Sequence, residues 1–349
     1  MEQPVRIGIV GAGTNTRAKH IPGFRAIPQV EIVGVVNRSE QSSVHVATEF
    51  GIPKTYPNWQ ALVDDPGVDA VLIGTWPNMH CEITCAALKR GKHVLTEARM
   101  ARNLAEAQQM LAASQAHPNL VAQVVPSPFG LEIDPFVRDL IEHGYIGDLR
   151  EMVVIGADDA VWDYSKPLHW RQDRELSGLN TLSLGILHET AMRWTPATTR
   201  VFAQSALFEP QRPAPDRAGN VAVTVPDSLQ VLTQLEGGGR GIYHMSGVTL
   251  FGPGRQIHLY GSHGTIRVEF GAQERVLCGR AGDNALRVVE VPADKRSGWR
   301  VEEEFISAIR GKETVKFTDF ATGVRYMEFT EAVARSAESQ SAIDLPLQG

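Results

Sequence analysis

Hydrophobic residues in the first part of the chain fall into short runs that are apolar on both faces. The runs lie at Val5–Val10, Val30–Val36, Ala70–Gly74, His93–Thr96 and Leu120–Val124. Helical stretches separate them, among them Glu82–Arg90 and the alanine-rich Arg102–Gln115. Strands that are buried on both faces and joined through helices are typical of a parallel sheet between two helical layers. We therefore predict a doubly wound α/β fold for this part.

From residue 125 onward, apolar residues alternate with polar ones over longer segments. These segments are Leu149–Ala157, Val201–Phe208, Ser228–Leu235, Gly241–Ser246, Ile257–Tyr260 and Thr265–Phe270. The three glycines at 237–239 and the residues at 262–264 have the composition of hairpin turns. Because strands joined by short turns pair antiparallel, we predict an α/β region with a large, mostly antiparallel open sheet.

Helices and one long loop complete the second part. We predict helices at Leu179–Trp194, Trp299–Ile309 and Phe320–Ser339. The segment Glu209–Pro226 is rich in proline and polar residues and predicts a surface loop, either a lid or partner-binding segment or a passive excursion. A chain of 349 residues exceeds one ordinary core, so we divide it into two domains, 1–124 and 125–349.

Composition narrows the class of protein. Lys and Arg number 34 against 40 Asp and Glu, and this acidic balance argues against a nucleic-acid partner. We find no apolar run of membrane-spanning length and no secretion signal after Met1, and therefore expect no membrane partner. The sparse cysteines, Cys81, Cys85 and Cys278, favour a reduced, cytoplasmic location. Cys81 and Cys85 lack companion ligands, so we expect no metal site.

The first strand leads into a glycine turn, Gly11-Ala12-Gly13, which precedes a predicted helix. Gly11 can adopt a tight turn, Gly13 lets the backbone approach phosphates, and the helix directs its N–H groups at them. This arrangement predicts a site for a dinucleotide pyrophosphate, whereas the alternative is a strand-turn-helix without a ligand. The third small residue of the usual fingerprint is missing. The candidate N-caps or phosphate contacts are Thr14, Asn15 and Thr16.

The end of the second strand bears on the choice of cofactor. An NAD site usually places a carboxylate here for the ribose hydroxyls, but this chain has Asn37. Arg38 can face a 2′-phosphate, and Ser39 can hydrogen-bond to it. We therefore favour NADP slightly over NAD, while an NAD site with Asn37 on the ribose stays open.

A polar and aromatic segment follows the third strand, at the edge where ligands of such sheets collect. Trp76 and Pro77, after Thr75, can form a wall beside the nicotinamide. Asn78 and His80 can hydrogen-bond near it. A single histidine beside a helix start is more often a cap than a catalyst, so we assign His80 a positional role.

Several motifs, in this order, resemble the Gfo/Idh/MocA family of NAD(P)-dependent oxidoreductases over nearly the whole chain. The matching stretches are Gly11–Gly13 with His20, Thr75–His80 (family T-x-P-N-x-x-H), Gly91–Leu95, His169–Arg171 with Ser177-Gly178 (W-R…G-G-G), Tyr260–Thr265 and Phe305–Gly311. The resemblance implies a Rossmann domain, then an α/β domain whose open sheet packs against another subunit as a homodimer or homotetramer. It also implies hydride exchange with a sugar, cyclitol or related small polyol.

The chain departs from the family where the resemblance locates chemistry. The family's E-K-P motif is Glu97-Ala98-Arg99, so its lysine is absent. Its D-x-G-x-H motif begins at Ser183, which lacks the carboxylate, and the histidine, His188, is shifted by one residue. The N-x-R that follows the fifth strand in the family is replaced by residues 125–127, Val-Pro-Ser.

These departures leave few groups for proton transfer, which contributes roughly 10²–10⁴-fold to such reactions. His188 is the best remaining proton carrier, although a core histidine is at least as plausible an interpretation. Arg99 can polarise an oxygen or bind a carboxylate but cannot act as a base. Glu97 is assigned to the cofactor as a capping or orienting group. The residues assigned to the substrate are Tyr164, His169, Trp170 and Arg171.

We therefore predict a cytoplasmic oxidoreductase that acts on CH–OH groups with an altered acid/base apparatus. Two alternatives stay open. The first is a catalytically silent nucleotide-binding protein of the same fold, motivated by Ala98 and Ser183. The second is a cofactor-retaining enzyme that cleaves glycosides. The identity of the substrate is not predicted.

Overall fold

The computed structural model describes residues 4–348, which form two compact units. The first unit contains the chain up to Pro126 and the later segment Arg300–Arg325. The second contains Ser127–Trp299 and the chain from Tyr326 onward. The predicted division into 1–124 and 125–349 does not include the return of Arg300–Arg325 to the first unit.

The first 126 residues alternate strands and helices. In chain order the elements are β1 Val5–Val10, α1 Ile21–Arg25, β2 Val30–Val36, α2 Glu40–Phe50, α3 Trp59–Val63, β3 Ala70–Ile73, α4 Pro77–Lys89, β4 His93–Thr96, α5 Leu104–Gln115 and β5 Ala122–Val124. A wide turn of π type, Thr16–His20, leads directly into α1. Ser39, Asn58 and Asn103 cap α2, α3 and α5 by accepting a backbone N–H, as their short polar side chains favour.

The five strands form one parallel sheet in the order β2-β1-β3-β4-β5. The predicted doubly wound fold is confirmed, and the bounds of β1, β2 and β4 agree with prediction. Successive connections leave β1 in opposite directions, toward β2 and toward β3, so the topological switch lies between β1 and β3. Ligands of such sheets bind at the carboxyl ends of the strands beside this switch.

The helix predicted at Glu82–Arg90 begins earlier, at Pro77. Proline is tolerated in the first turn because its missing N–H would have no partner there. The predicted start at Glu82 is therefore too late.

The rest of the chain is mainly β structure. Its elements are α6 Asp134–Glu142, β6 Leu149–Ala157, α7 Arg174–Ser177, α8 Leu184–Ala191, β7 Thr198–Ala206, β8 Gln211–Pro213, β9 Asn220–Ala222, β10 Ser228–Leu235, β11 Arg240–Ser246, β12 Gly254–Gly261, β13 Gly264–Phe270, β14 Glu274–Arg280, β15 Arg287–Val289, α9 Val301–Ile309, α10 Phe320–Ser339 and β16 Ile343–Asp344.

Nine of these strands form an open sheet in the order β15-β14-β13-β12-β6-β11-β10-β7-β16. Every neighbouring pair is antiparallel except β6 and β11, which run parallel. This confirms the predicted large, mostly antiparallel sheet. One face is covered by α8 and by part of α10, with Leu187, Tyr243 and Phe329 in the shared core.

Two predicted segments of the second unit are wrong in detail. The helix predicted at Leu179–Trp194 is limited to α8, because Leu182 has φ +49° and Asn180 hydrogen-bonds to the carbonyl of Ser177 at 2.7 Å. The segment Glu209–Pro226 is not a loop throughout, because β8 and β9 pair within it as a hairpin. The buried guanidinium of Arg212 donates to the carbonyls of Val161 and Asp163 and ties this hairpin to the chain after β6.

None of the helices within residues 4–348 has both the length and the apolar composition needed to cross a membrane.

Candidate functional site

The glycine turn lies at the carboxyl edge of the parallel sheet, against the end of β3. Gly11 has φ +84° and donates its N–H to the carbonyl of Val36 at 2.8 Å. A Cβ at Gly11 would lie 2.8 Å from the backbone nitrogen of Thr75, and one at Gly74 would lie 2.2 Å from the carbonyl oxygen of Gly11. Both glycines are therefore required by the close approach of the turn to β3.

Gly13 is different, because the fold itself does not require a glycine there. Its φ lies outside the left-handed region. A Cβ would meet only the carbonyl oxygen of Gly74, at 3.5 Å, which is ordinary contact. Gly13 is exposed, and the N–H groups of the first turn that follows have no acceptors within the helix. The turn therefore fits a pyrophosphate that approaches the backbone closely.

The three polar residues after the turn take different positions. Thr14 is exposed. Its contact with phosphate stays a prediction. Asn15 makes no side-chain cap and instead donates from Nδ2 to Glu97 Oε1 at 2.6 Å. Thr16 is buried, and its hydroxyl donates to the carbonyl of Gly11 at 3.3 Å. Thr16 thus packs the turn against β3 in place of the missing small residue.

The residues after β2 are arranged around the same turn. The backbone N–H of Ala12 donates to Asn37 Oδ1 at 2.7 Å, and Asn37 Nδ2 donates to the hydroxyl of Ser42 at 3.0 Å. Ser39 caps α2. Arg38 is exposed, and its guanidinium lies 5.6 Å from the ring centre of Trp76. This segment holds the turn from one side and presents a cation beside it.

The segment after β3 begins α4. Trp76 is the residue before the helix, and Pro77 occupies its first position. The Oδ1 atom of Asn78 is buried without a hydrogen-bond partner among the described residues, an orphaned acceptor at the sheet edge. The ring of His80 contacts the backbone of Thr75: its Nε2 lies 3.0 Å from the carbonyl oxygen of Thr75.

His80 is fully buried, and both ring nitrogens face carbonyl oxygens. Nδ1 lies 3.0 Å from the carbonyl oxygen of Arg99 and 3.3 Å from that of Met100. Burial lowers the pKa of His80, although these carbonyls oppose the effect. Arg99 itself is buried. His80 therefore connects the ends of β3 and β4, and its positional role in the site stays a prediction.

A cluster of three ionisable side chains lies beside the turn. His20 is fully buried; its Nε2 is 3.0 Å from Glu97 Oε1, and its Nδ1 is 2.5 Å from Glu302 Oε1. Burial alone would lower the pKa of His20, but hydrogen bonds with Glu302 and Glu97 outweigh it and raise the pKa to about 9. Sequence reasoning missed Glu302, because nothing local associates a glutamate in α9 with a residue 282 positions earlier.

In the second unit, the predicted substrate residues lie on one segment before α7. The guanidinium of Arg171 stacks 4.3 Å from the ring centre of Trp170. His169 Nδ1 accepts the N–H of Arg171 at 3.3 Å, and burial, then Arg171, lowers its pKa. Tyr164 is exposed. The segment presents two aromatic rings and a cation, which suits a hydroxylated ligand.

His188 lies in the core beneath the sheet. Its ring stacks on Phe329 with 3.5 Å between centres, and Nδ1 is 2.8 Å from the hydroxyl of Tyr243. Burial raises the pKa of the Tyr243 phenol well above its ordinary value, so the phenol stays protonated. Ser183 and Leu187 lie against β6 instead. The side chains of both would contact a Cβ placed on Gly156 of that strand. The one-residue shift of the histidine therefore places it around the helix, toward Tyr243 and Phe329.

The structure thus gathers the predicted residues in two places. The first unit brings together the residues assigned to the cofactor: Gly11, Ala12, Gly13, Thr14, Asn15, Thr16, Asn37, Arg38, Ser39, Thr75, Trp76, Pro77, Asn78, His80 and Glu97. The second unit holds His188 in its core and Tyr164, His169, Trp170 and Arg171 on one segment. The roles of these residues in binding and catalysis stay predictions.

Comparison with known proteins supports the order of a Rossmann domain followed by a second domain. Residues 5–124 match the family model of the Gfo/Idh/MocA oxidoreductases with an NAD-binding Rossmann fold, and residues 136–267 match the C-terminal domain of the same family. Levoglucosan dehydrogenase of Pseudarthrobacter phenanthrenivorans is 24% identical, with 99% of each chain covered. Myo-inositol 2-dehydrogenase of Thermotoga maritima is also 24% identical, over 75% of this chain and 74% of its own.

The fold is shared with a solved structure of levoglucosan dehydrogenase in complex with NADH and L-sorbose. The TM-score is 0.87 at 21% identity, covering 98% of this chain and 99% of the other. Two matching domain models in the expected order, together with relatives that align over the full length, confirm the resemblance found in the motifs. This chain belongs to the Gfo/Idh/MocA family of NAD-binding oxidoreductases.

Proposed function

We propose that this protein transfers a hydride between a nicotinamide dinucleotide and a hydroxyl-bearing carbon of a sugar, cyclitol or related small polyol. Gly13 is the observation that carries the proposal: neither its φ nor its packing against the described residues requires a glycine, and the missing side chain leaves the backbone open to a ligand. The relatives named levoglucosan dehydrogenase and myo-inositol 2-dehydrogenase support the substrate class.

When bound, the cofactor accepts or supplies the hydride, and the protein residues provide binding and orientation. The backbone at Gly13 and the first turn that follows would hold the pyrophosphate. Asn37, already hydrogen-bonded to the turn, would meet the ribose, and Arg38 offers a cation for a 2′-phosphate. We therefore favour NADP slightly over NAD.

Oxidation of a hydroxyl also requires that a proton leaves its oxygen. Ala98 cannot take part, since it has no ionisable group. We assign proton exchange to His188, whose Nδ1 is fixed by the protonated hydroxyl of Tyr243 at 2.8 Å. Arg99 and the Tyr164–Arg171 segment are assigned to the oxygens of the substrate.

The proposal is tested by titrating the protein with NADH and NADPH while the nicotinamide fluorescence is recorded. We expect the wild type to bind at least one of them with micromolar affinity, and the ratio of the two affinities decides the cofactor. Gly13→Val should weaken binding by a factor of about 100, because a branched side chain occupies the phosphate position.

Gly271→Val is the matched control. A Cβ at Gly271 would meet only a carbonyl oxygen at 3.7 Å, and the residue lies in the turn between β13 and β14. This variant should bind as the wild type does. Failure of the wild type to bind either cofactor below millimolar concentration would refute the proposal.

A second candidate function has specific support. Ala98 and Ser183 remove two groups that the family resemblance associates with chemistry, and His188 packs against Phe329 within the core. These observations favour a protein that binds the nucleotide without turnover. A screen of polyols and sugars with either oxidised cofactor separates the candidates, since the silent protein would bind the cofactor and reduce none of it.

We also propose that the outer face of the nine-stranded sheet packs against another copy of the chain, as a homodimer or homotetramer. Phe202, Leu232 and Ile242 are 44%, 55% and 47% exposed, and the strand register places them side by side across three strands. A row of this kind is typical of a protein interface.

We further propose a cytoplasmic location. Cys81, Cys85 and Cys278 are free thiols rather than members of a disulfide, which supports a reducing environment.

A further inference from the structure

We propose that the buried cluster of His20, Glu97 and Glu302 makes this protein favour the oxidised nicotinamide cofactor, whose ring is cationic, over the reduced cofactor, whose ring is neutral. The inference rests on the proposed function, because it requires that such a cofactor binds. It concerns a property that the family fold alone does not provide, since it depends on the charges of these three side chains.

The geometry of the cluster favours a charged His20 between two carboxylates. His20 has no exposed surface, and each ring nitrogen faces a different carboxylate, at 3.0 Å and 2.5 Å. Only an imidazolium can donate to both carboxylates at once. One positive ring between two carboxylates leaves the three side chains with a net formal charge of one negative.

Surrounding groups hold Glu97 as an anion. Its Oε1 accepts from Asn15 Nδ2 at 2.6 Å as well as from His20. Burial would raise the pKa of Glu97, but the hydrogen bond and charge of His20 lower it below its ordinary value, and Asn15 and His80 act in the same direction.

The other end of the cluster is held by close packing. Glu302 lies on α9 and is buried. A Cβ on Gly23, in α1, would lie only 2.7 Å from the carboxyl carbon of Glu302. Glycine at this position therefore allows the carboxylate to reach Nδ1 of His20, and the cluster is rigidly placed on three elements.

The topology puts this charge at the side of the switch where the nicotinamide half of a bound dinucleotide would lie. The pyrophosphate turn follows β1, and Asn37, the candidate ribose contact, follows β2 on one side of the switch. A dinucleotide that spans the switch extends its other half toward β3 and β4. Glu97 is the residue directly after β4. A net negative charge in a buried setting stabilises a nearby cation more than a neutral ring.

The experiment compares dissociation constants of the oxidised and reduced forms, for NAD and for NADP, by calorimetry on the full chain. We use the ratio of the reduced-form to the oxidised-form constant. Glu97→Gln keeps the acceptor for Asn15 but removes the charge, and the ratio should fall by roughly tenfold. This readout requires no turnover.

Glu304→Gln is the matched control. Glu304 is also buried on α9, and its Oε1 accepts from Gln123 Nε2 at 3.1 Å and from the N–H groups of Lys316 and Phe317 at 3.0 Å each. A glutamine can keep these bonds, and the ratio should stay at its wild-type value. A ratio that Glu97→Gln leaves within twofold of wild type overturns the inference.

A second measurement needs no substitution at Glu97. In the wild type, the ratio should be flat between pH 6 and pH 8 and rise as the pH passes about 9, where His20 loses its proton. In Glu302→Gln the rise should occur at lower pH, because His20 keeps only Glu97 as a carboxylate partner. A wild-type ratio that stays flat to pH 10 contradicts the inference. If neither form of either cofactor binds, the proposed function itself fails, and this inference fails with it.

Discussion

At the scale of single residues, Ala98 changes the chemistry most. A methyl group follows Glu97 at the carboxyl edge of the sheet, where the family resemblance expects a lysine able to donate to a substrate oxygen. Its neighbours Glu97 and Arg99 are both largely withdrawn from solvent and hydrogen-bonded to the surrounding edge. Ala98 itself cannot exchange a proton, and we therefore assign proton transfer to a group outside this motif.

The first prediction concerns His188. If it carries the proton, His188→Gln should lower kcat for a polyol substrate by roughly 10²–10⁴-fold, while the dissociation constant for the cofactor stays unchanged. Steady-state kinetics with cofactor titration measure both quantities. Tyr243→Phe, which removes the hydroxyl that fixes Nδ1, should cause a smaller loss of kcat. If His188→Gln keeps the wild-type kcat, His188 does not carry the proton.

The silent-protein alternative makes the opposite prediction at residue 98. A protein that binds the cofactor without turnover should gain measurable polyol oxidation in Ala98→Lys, because lysine supplies a donor that can shift its pKa in a buried site. Cofactor reduction, followed by absorbance, reports the gain. Wild-type turnover that His188→Gln abolishes would contradict the silent-protein interpretation.

At the scale of elements, the ion cluster joins the chain before α1 to the end of β4 and to α9. His20 is buried with a pKa of about 9, whereas an unfolded histidine titrates near 6.5. A raised pKa in the folded state stabilises the fold fully below pH 6.5, and this contribution is lost as the pH rises through 9. The shift corresponds to about 3 kcal/mol.

We therefore expect the difference in free energy of unfolding between wild type and His20→Gln to shrink as the pH rises from 6.5 to 9.5. Urea unfolding at several pH values measures it. Glu304→Gln, which leaves the cluster intact, should keep the pH dependence of the wild type. If the difference between wild type and His20→Gln is the same at all pH values, the imidazolium does not contribute in this way.

At the scale of the whole molecule, the proposed association involves the outer face of the open sheet. Leu232 pairs with Phe202 on β7 and with Ile242 on β11, so three exposed apolar side chains lie adjacent in one row. If this row is an interface, light scattering after size exclusion should give at least a dimer. Leu232→Glu should shift the mass toward the monomer, because a buried unpaired charge is costly.

Val44→Glu provides the control for this prediction. Val44 is 49% exposed on α2, in the first unit and not on the open sheet. The substitution adds the same charge away from the row, and the mass of this variant should equal that of the wild type. A wild-type monomer at low protein concentration would contradict the proposed association.

The sequence by itself determined several strands and the glycine turn. β1, β2, β4, β6 and β10 have the predicted bounds, because a few consecutive residues contain the apolar pattern that forms a strand. The turn at Gly11 is likewise local, since φ +84° is tolerated mainly by glycine. Asn15 and Glu97 could be assigned to the cofactor edge from their positions in the chain, but their mutual hydrogen bond could not.

Only the tertiary structure decided which distant residues meet. Glu302 reaches His20 from 282 positions away, and the parallel pairing of β6 with β11 joins strands that many residues separate. The surroundings of His188 also depend on α10 and β11, which its own helix does not specify. Contacts of this kind depend on how elements pack, because side chains far apart in sequence leave no joint pattern in either segment. The charge of the candidate site is therefore a property of the assembled fold.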